Sequence, residues 1–135
     1  MSREATLDDI PQLVVWGAKF HDMAKLNCPY EPEATATFLG HLISSDQATV
    51  IMHDHGFIGG MLSPAYCAPD WVMAVELFWW AEKRGLSLLR DFERWAEAKG
   101  ANEVRMTTLY SLPTADTILR RLGYAASEIS YSKPV

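Results

Sequence analysis

Apolar residues recur at spacings of three and four along Ile10, Leu13, Val14, Gly17, Phe20 and Ala24, which predicts a helix with one buried face. Thr6 followed by Asp9 marks its start as a capping box with an acidic partner, Pro11 is tolerable in a first turn, and Asn27-Cys28-Pro29 ends it. Arg3 to Ala5, just before, reads as a short edge strand. A second helix follows Pro32, with Thr35, Phe38, Leu39, Leu42 and Ile43 as its buried stripe and Ser44-Ser45-Asp46 as its end.

The pattern then changes period. Ala48 to His53 and Phe57 to Ser63 are rich in β-formers and are separated by Asp54-His55-Gly56, which predicts a hairpin with a three-residue connection. Pro64 to Asp70 reads as a loop. Met73 to Trp80 is apolar on both faces except at Glu76, the signature of a central strand covered by helices. From Leu86 to Lys99 the helical period returns through Leu88, Leu89, Phe92, Trp95 and Ala96, and Gly100 supplies the stop. Glu103 to Leu109 is read as a strand, Thr114 to Leu122 as a short helix stopped by Gly123, and Ala126 to Tyr131 as a last strand. About six strands and about four helices in this order describe a mixed α/β (α+β) sheet with helices on its faces.

Composition narrows the function classes. The 135 residues have the length of one domain, and 49% hydrophobic with 21% charged is the balance of a globular protein with a core of its own. A formal charge of -5 argues against a nucleic-acid partner, which needs clustered Lys and Arg, and leans towards a cationic or amine ligand. No apolar run approaches the length of a membrane span, and MSREATLDDI lacks the apolar stretch of a signal peptide, so a cytoplasmic protein without membrane contact is expected. Cys28 and Cys67, in no CxxC spacing, are read as reduced thiols. His53-Asp54-His55 offers too few converging ligands for a metal, and a homodimer is compatible with the base rate for such domains.

Candidate chemistry concentrates between Val75 and Ala96, where a strand passes through Lys83, Arg84 and Gly85 into a long amphipathic helix. A helix N-terminus leaves backbone N–H groups unpaired and carries the positive end of the dipole, so this junction can hold a pyrophosphate. Glu76 is the only ionisable residue of the central strand.

The order of elements, together with Arg3-Glu-Ala-Thr6 and Asp8-Asp9-Ile10, the block Glu76 to Leu89, and Arg121-Leu122-Gly123-Tyr124 with Ile129-Ser-Tyr131, resembles the GNAT (GCN5-related N-acetyltransferase) family over nearly the whole chain. The resemblance implies one acetyltransferase domain over residues 1–135, using acetyl-CoA. It also implies a bulged central strand in which the backbone amides of Phe78, Trp79 and Trp80 receive the pantetheine arm and the thioester carbonyl. Lys83, Arg84, Gly85, Leu86, Ser87 and Leu88 fall in the pyrophosphate segment. The family's loop reads arginine or glutamine, two residues, glycine, one residue, then glycine or alanine, and Trp80, Lys83 and Gly85 stand at its three defining positions when Leu88-Leu89 is the anchor. If Arg84-Gly85 is the anchor instead, the rest of the loop is deleted. Leu119 occupies the place of the tyrosine that often protonates the departing thiolate, which leaves Tyr110, Ser111 or water for that step. Leu112-Pro113 replaces a frequent cofactor-contacting asparagine.

The expected activity is transfer of an acetyl group from acetyl-CoA to a primary amine within a ternary complex, with Glu76 as base and Tyr110 as acid. The acceptor classes in view are a polyamine, an aminoglycoside-like compound or a protein amine. The alternative is a catalytically inert GNAT-fold binding or regulatory module.

Overall fold

A computed structural model describes residues 1–135. Strand β1 (Arg3–Glu4) leads through a 3-10 turn at Leu7–Asp9 into helices α1 (Ile10–Ala24) and α2 (Pro32–Ser44). Strands β2 (Ala48–His53), β3 (Gly56–Ala65) and β4 (Ala68–Ala81) follow, then α3 (Gly85–Ala98), β5 (Glu103–Arg105) and α4 (Pro113–Arg121). The five strands form one sheet in the order β1-β2-β3-β4-β5, antiparallel except for the parallel β4–β5 pair.

The N-terminal turn forms where the polar residues require it. Asp9 Oδ2 accepts the Thr6 N–H at 2.8 Å, and both Asp9 oxygens accept from the Arg3 guanidinium at 2.8 Å. This fork holds the Asp9 carboxyl well below the usual carboxylate range.

Alternation along the strands divides the core in two. Val50, Met52, Phe57 and Trp80 pack with Leu13, Trp16, Leu39 and Leu42 beneath α1 and α2. Ile51, Ile58 and Ala74 turn to the other face and meet Leu88, Phe92 and Ala96 of α3. Successive residues of one strand thus serve opposite layers, which is why the strands carry no polar stripe.

Four expectations are corrected. The β2–β3 turn is two residues long, because Gly56 already pairs with His53. A side chain at Gly56 would strike the Trp80 carbonyl and Ala81, so this glycine serves close strand approach. The segment Pro64 to Asp70 is not a loop: β3 and β4 run on into a two-residue turn at Tyr66 and Cys67, with an irregularity at Pro64/Ala65 that absorbs the proline.

The strand expected over Glu103 to Leu109 ends at Arg105, and Ala126 to Tyr131 forms no strand, so the sheet has five strands rather than six. These last two corrections share one cause. Beyond Arg105 the chain diverges from β4, so it offers no straight edge for a further strand, and Ile129 and Tyr131 remain 67% and 88% exposed. The tail is instead tied by side chains, with Arg105 donating to Ser127 Oγ at 3.0 Å and Asn27 donating to Ser132 Oγ at 3.4 Å.

Candidate active site at the bulge of strand β4

Strand β4 is bulged at its middle. Gly59 pairs with Phe78 and Gly60 with Glu76, which leaves Leu77 as the extra residue. The partner strand accommodates this with two glycines: a side chain on Gly59 would run into the Phe78 ring, and one on Gly60 would meet Phe92 and the Val75 carbonyl. The rings of Phe78 and Phe92 therefore lie against bare backbone on opposite faces, level with the bulge. Glycines inside a strand pattern are a sequence signal for this arrangement, and Gly59 and Gly60, within the β-rich run Phe57 to Ser63, carry it.

On its other edge β4 pairs with β5 only from Met73 to Val75. Glu76 stands where the two strands part, its Oε1 accepting the Thr107 N–H at 2.9 Å. From Glu76 to Ala81 the β5-side edge of β4 has no ladder partner, so alternate backbone groups along it are open to a ligand.

Glu76 is 6% exposed and has no cationic partner. Burial pushes its carboxyl up to about 7, with the Thr107 N–H pulling weakly the other way. An exposed, salt-bridged strand-end glutamate would not behave so. This group holds a proton and a lone pair in comparable amounts near neutrality, which suits proton transfer.

Past the bulge the three aromatic side chains are structural, and only their backbone faces the opening. Phe78 packs on Phe57 at 4.9 Å, and Trp80 is buried 6.0 Å from Trp16. Trp79 turns to the α3 face and donates its indole N–H to the Gly85 carbonyl at 3.0 Å, tying the strand to the start of the helix.

The strand-to-helix turn is held from several sides. The Glu82 N–H donates to the His55 carbonyl at 2.8 Å. His53 Nδ1 accepts the His55 N–H at 2.9 Å, so its proton sits on Nε2, which donates to the Arg84 carbonyl at 3.0 Å. The Ser87 hydroxyl donates to the same carbonyl at 2.9 Å. Arg84, not Gly85, takes the left-handed conformation, at φ 59°. The N–H groups of Gly85, Leu86 and Ser87 find no backbone acceptor, as expected of a first helical turn, and lie beside Lys83 and Arg84. Partial desolvation, and then these two cations, hold the His55 imidazole below its usual range. Leu88 is fully buried against β3 and β4, so only its backbone could serve a ligand. The sequence offers His53 only as a metal ligand, because a histidine beside a turn carries no signal of its partner 31 residues away.

Tyr110 stands apart from this arrangement. It is 97% exposed in the turn before α4, and its hydroxyl meets no protein partner. The hydroxyl of Tyr124, by contrast, donates to Glu93 Oε2 at 2.8 Å, and burial with that acceptor keeps its proton bound far above neutrality. No group of three His, Cys, Asp or Glu side chains converges anywhere in the fold.

On the α1–α2 side of the sheet, a cavity of about 440 Å³ reaches the bulge residues Leu77 and Phe78 but not Glu76, whose strand partner Gly60 faces α3.

The fold as a whole is shared with solved structures. A probable acetyltransferase superposes with a TM-score of 0.78 at 15% identity, covering 100% of this chain and 97% of its own. The chain has the GNAT fold. The aminoglycoside acetyltransferase AAC(6')-Iy, solved with a CoA-containing bisubstrate analogue, aligns at a TM-score of 0.73 and 15% identity over 100% of this chain and 98% of its own. A protein of Bacillus halodurans described as a transcriptional regulator aligns at 0.76 and 19% over 100% and 99%. No protein-family model and no curated protein sequence matches the chain. Within the GNAT fold, β4 and β5 part at Glu76, and β4 runs on through Lys83 and Arg84 into the N-terminus of α3.

Proposed function

We propose that the protein is an N-acetyltransferase moving the acetyl group of acetyl-CoA to a primary amine by direct transfer. The observation that carries this reading is Glu76: a buried carboxyl near pH 7 in pKa, beside a backbone bulge, where two strands part. The names of the neighbouring structures, acetyltransferases in several cases, support it.

The residues present fit acetyl-CoA. The free amides of Gly85, Leu86 and Ser87, with Lys83 and Arg84, would receive the pyrophosphate. The open edge at Phe78, Trp79 and Trp80 would receive the pantetheine amides and the thioester carbonyl oxygen, whose charge grows as the amine adds. An ammonium of pKa about 10 must lose a proton before it can attack, and Glu76 takes it, directly or through one water. The new C–N bond forms, the C–S bond breaks, and the coenzyme A sulfur leaves as thiolate. With Tyr110 wholly in solvent, that thiolate takes its proton from water or from Tyr110 without positioning by the fold. Tyr110→Phe is therefore expected to keep kcat within about twofold, and a loss of tenfold or more would assign the proton to its hydroxyl.

Titration calorimetry with acetyl-CoA tests the reading. Micromolar binding is expected, weakened about tenfold in Arg84→Ala, the loss of roughly one charge-assisted contact. No binding at millimolar acetyl-CoA would sink it.

The second reading, an inert GNAT-fold binding or regulatory module, is favoured by the cavity's failure to reach Glu76 and by the neighbour described as a transcriptional regulator. It predicts acetyl-CoA binding with no amine-dependent release of free thiol. Two exposed, unpaired cysteines fit a cytoplasmic setting for either reading.

A further inference from the structure

The walls of the cavity between α1 and α2 are chemically one-sided. Leu13, Phe20, Phe38, Phe57, Leu77 and Phe78 supply most of its surface, and Leu26 and Phe38 leave an exposed apolar rim. The polar groups among its lining residues are mostly satisfied by the protein itself. Tyr30 donates its hydroxyl to the Val14 carbonyl at 2.6 Å, and Thr35 donates its own to the Glu31 carbonyl at 3.0 Å. His21 Nε2 faces the Cys28 carbonyl at 2.8 Å and so carries the proton. The Glu31 carboxylate, His21 Nδ1 and the Cys28 thiol carry no protein hydrogen bond, and Glu31 is the single acidic side chain among the lining residues. The volume, about 440 Å³, lies in the range of small-molecule sites.

Resting on the acetyl-transfer reading above, we propose that this cavity takes the body of the acceptor, and that the acceptor is a singly charged primary amine carrying an aryl or alkyl group rather than a polyamine or an aminoglycoside. A polycation placed here would bring several ammonium groups to a wall with one carboxylate, and each unpaired charge drawn from water is costly. An apolar body loses nothing by the same transfer and gains with every buried methylene. The cavity ends at Leu77 and Phe78, so an amine projecting from such a body arrives at the bulge of β4, beside the open strand edge that would hold the thioester. The net charge of -5 draws cations to the molecule as a whole, but the wall selects among them at contact.

The test compares 2-phenylethylamine and hexylamine with spermidine and kanamycin, by calorimetry on the protein alone and by acetylation rate with acetyl-CoA. The apolar amines are expected to bind at least tenfold more tightly than spermidine or kanamycin and to be acetylated with a kcat/KM at least tenfold higher. Ala34→Trp, from an exposed lining position on α2, is expected to weaken 2-phenylethylamine tenfold or more while leaving acetyl-CoA affinity unchanged. Phe38→Ser, at the exposed rim, should weaken the apolar amines and spare spermidine. Preference for spermidine or kanamycin, or indifference of 2-phenylethylamine binding to both substitutions, overturns the proposal. Failure of acetyl-CoA to bind sinks the transfer reading instead, and calorimetry on the protein alone still decides which amines the cavity admits.

Discussion

Glu76→Gln is expected to lose activity and gain stability, and the gain should depend on pH. The carboxyl of Glu76 stands at about 7 in the folded chain against an ordinary 4.5, because burial disfavours its charge. Its folded pKa is raised, so the native state binds the extra proton between these values, and stability falls as pH rises from 4.5 through 7. Above pH 8 the whole penalty, about 3 kcal/mol from that gap, weighs on the wild type. Glutamine keeps an oxygen to accept the Thr107 N–H and carries no charge, so the variant escapes the penalty. Thermal melts should therefore show Glu76→Gln more stable at pH 8 and close to wild type at pH 4. Over the same range, kcat/KM of the wild type should rise through pH 7 as the carboxylate forms. The variant should fall by about 10²–10⁴ and lose that limb, the range for a general base. Equal stability at pH 8 would mean that Glu76 is already hydrated and ordinary. A stabilised variant with full activity would make its burial purely structural.

Gly60→Ala should be severely damaging for a single added methyl. Its Cβ would stand 2.5 Å from both the Phe92 ring and the Val75 carbonyl, and neither can retreat, since Phe92 is fully buried and Val75 is paired on both sides. Overpacking of this kind costs about 3 kcal/mol, at the upper end of what an inserted methyl usually does, and should lower Tm by roughly 10 °C in a chain of this size. Because relief of the clash must move Val75 and Glu76 relative to Gly60, acetyl-CoA affinity should drop with it. Gly100→Ala is the control: its φ of +76° is strained for alanine, but nothing lies within 4 Å of the added methyl. It should cost about 1 kcal/mol and leave cofactor binding untouched. Parallel melts and calorimetry separate the two cases, and an unshifted melt for Gly60→Ala would deny the close packing at the bulge.

The helices were legible because each is a local pattern. α3 shows its buried stripe at Leu88, Leu89, Phe92 and Ala96, and the observed helix differs from the expected one by a residue at each end. The middle strands were legible through their β-rich runs and through Glu76, a lone charge in an otherwise apolar segment. Illegible were the features that depend on distant partners. Pro64 and Pro69 look like loop residues, yet both lie in strands, at the outer part of a hairpin where an irregularity frees the ladder from a proline N–H. Tyr110 looked like a strand-end hydroxyl close to the chemistry, but β5 ends five residues before it and the chain carries it into solvent.

What the sequence determined by itself is the order of elements as far as α4, the face each presents to the core, and the position of the one carboxyl in the central strand. These follow from periodicity, capping and turn chemistry, which act over a few residues. The tertiary structure alone decided where β4 bulges and where β5 leaves it. It also decided that Arg84 rather than Gly85 takes the left-handed turn, that His53 locks it, and that Glu76 is buried without a cation. Each of these is set by contacts between residues far apart in the chain, such as Gly60 with Phe92, His53 with Arg84 and Glu76 with Thr107. A pKa near 7 depends on the dielectric around a group, and that surrounding exists only once the chain has closed over it.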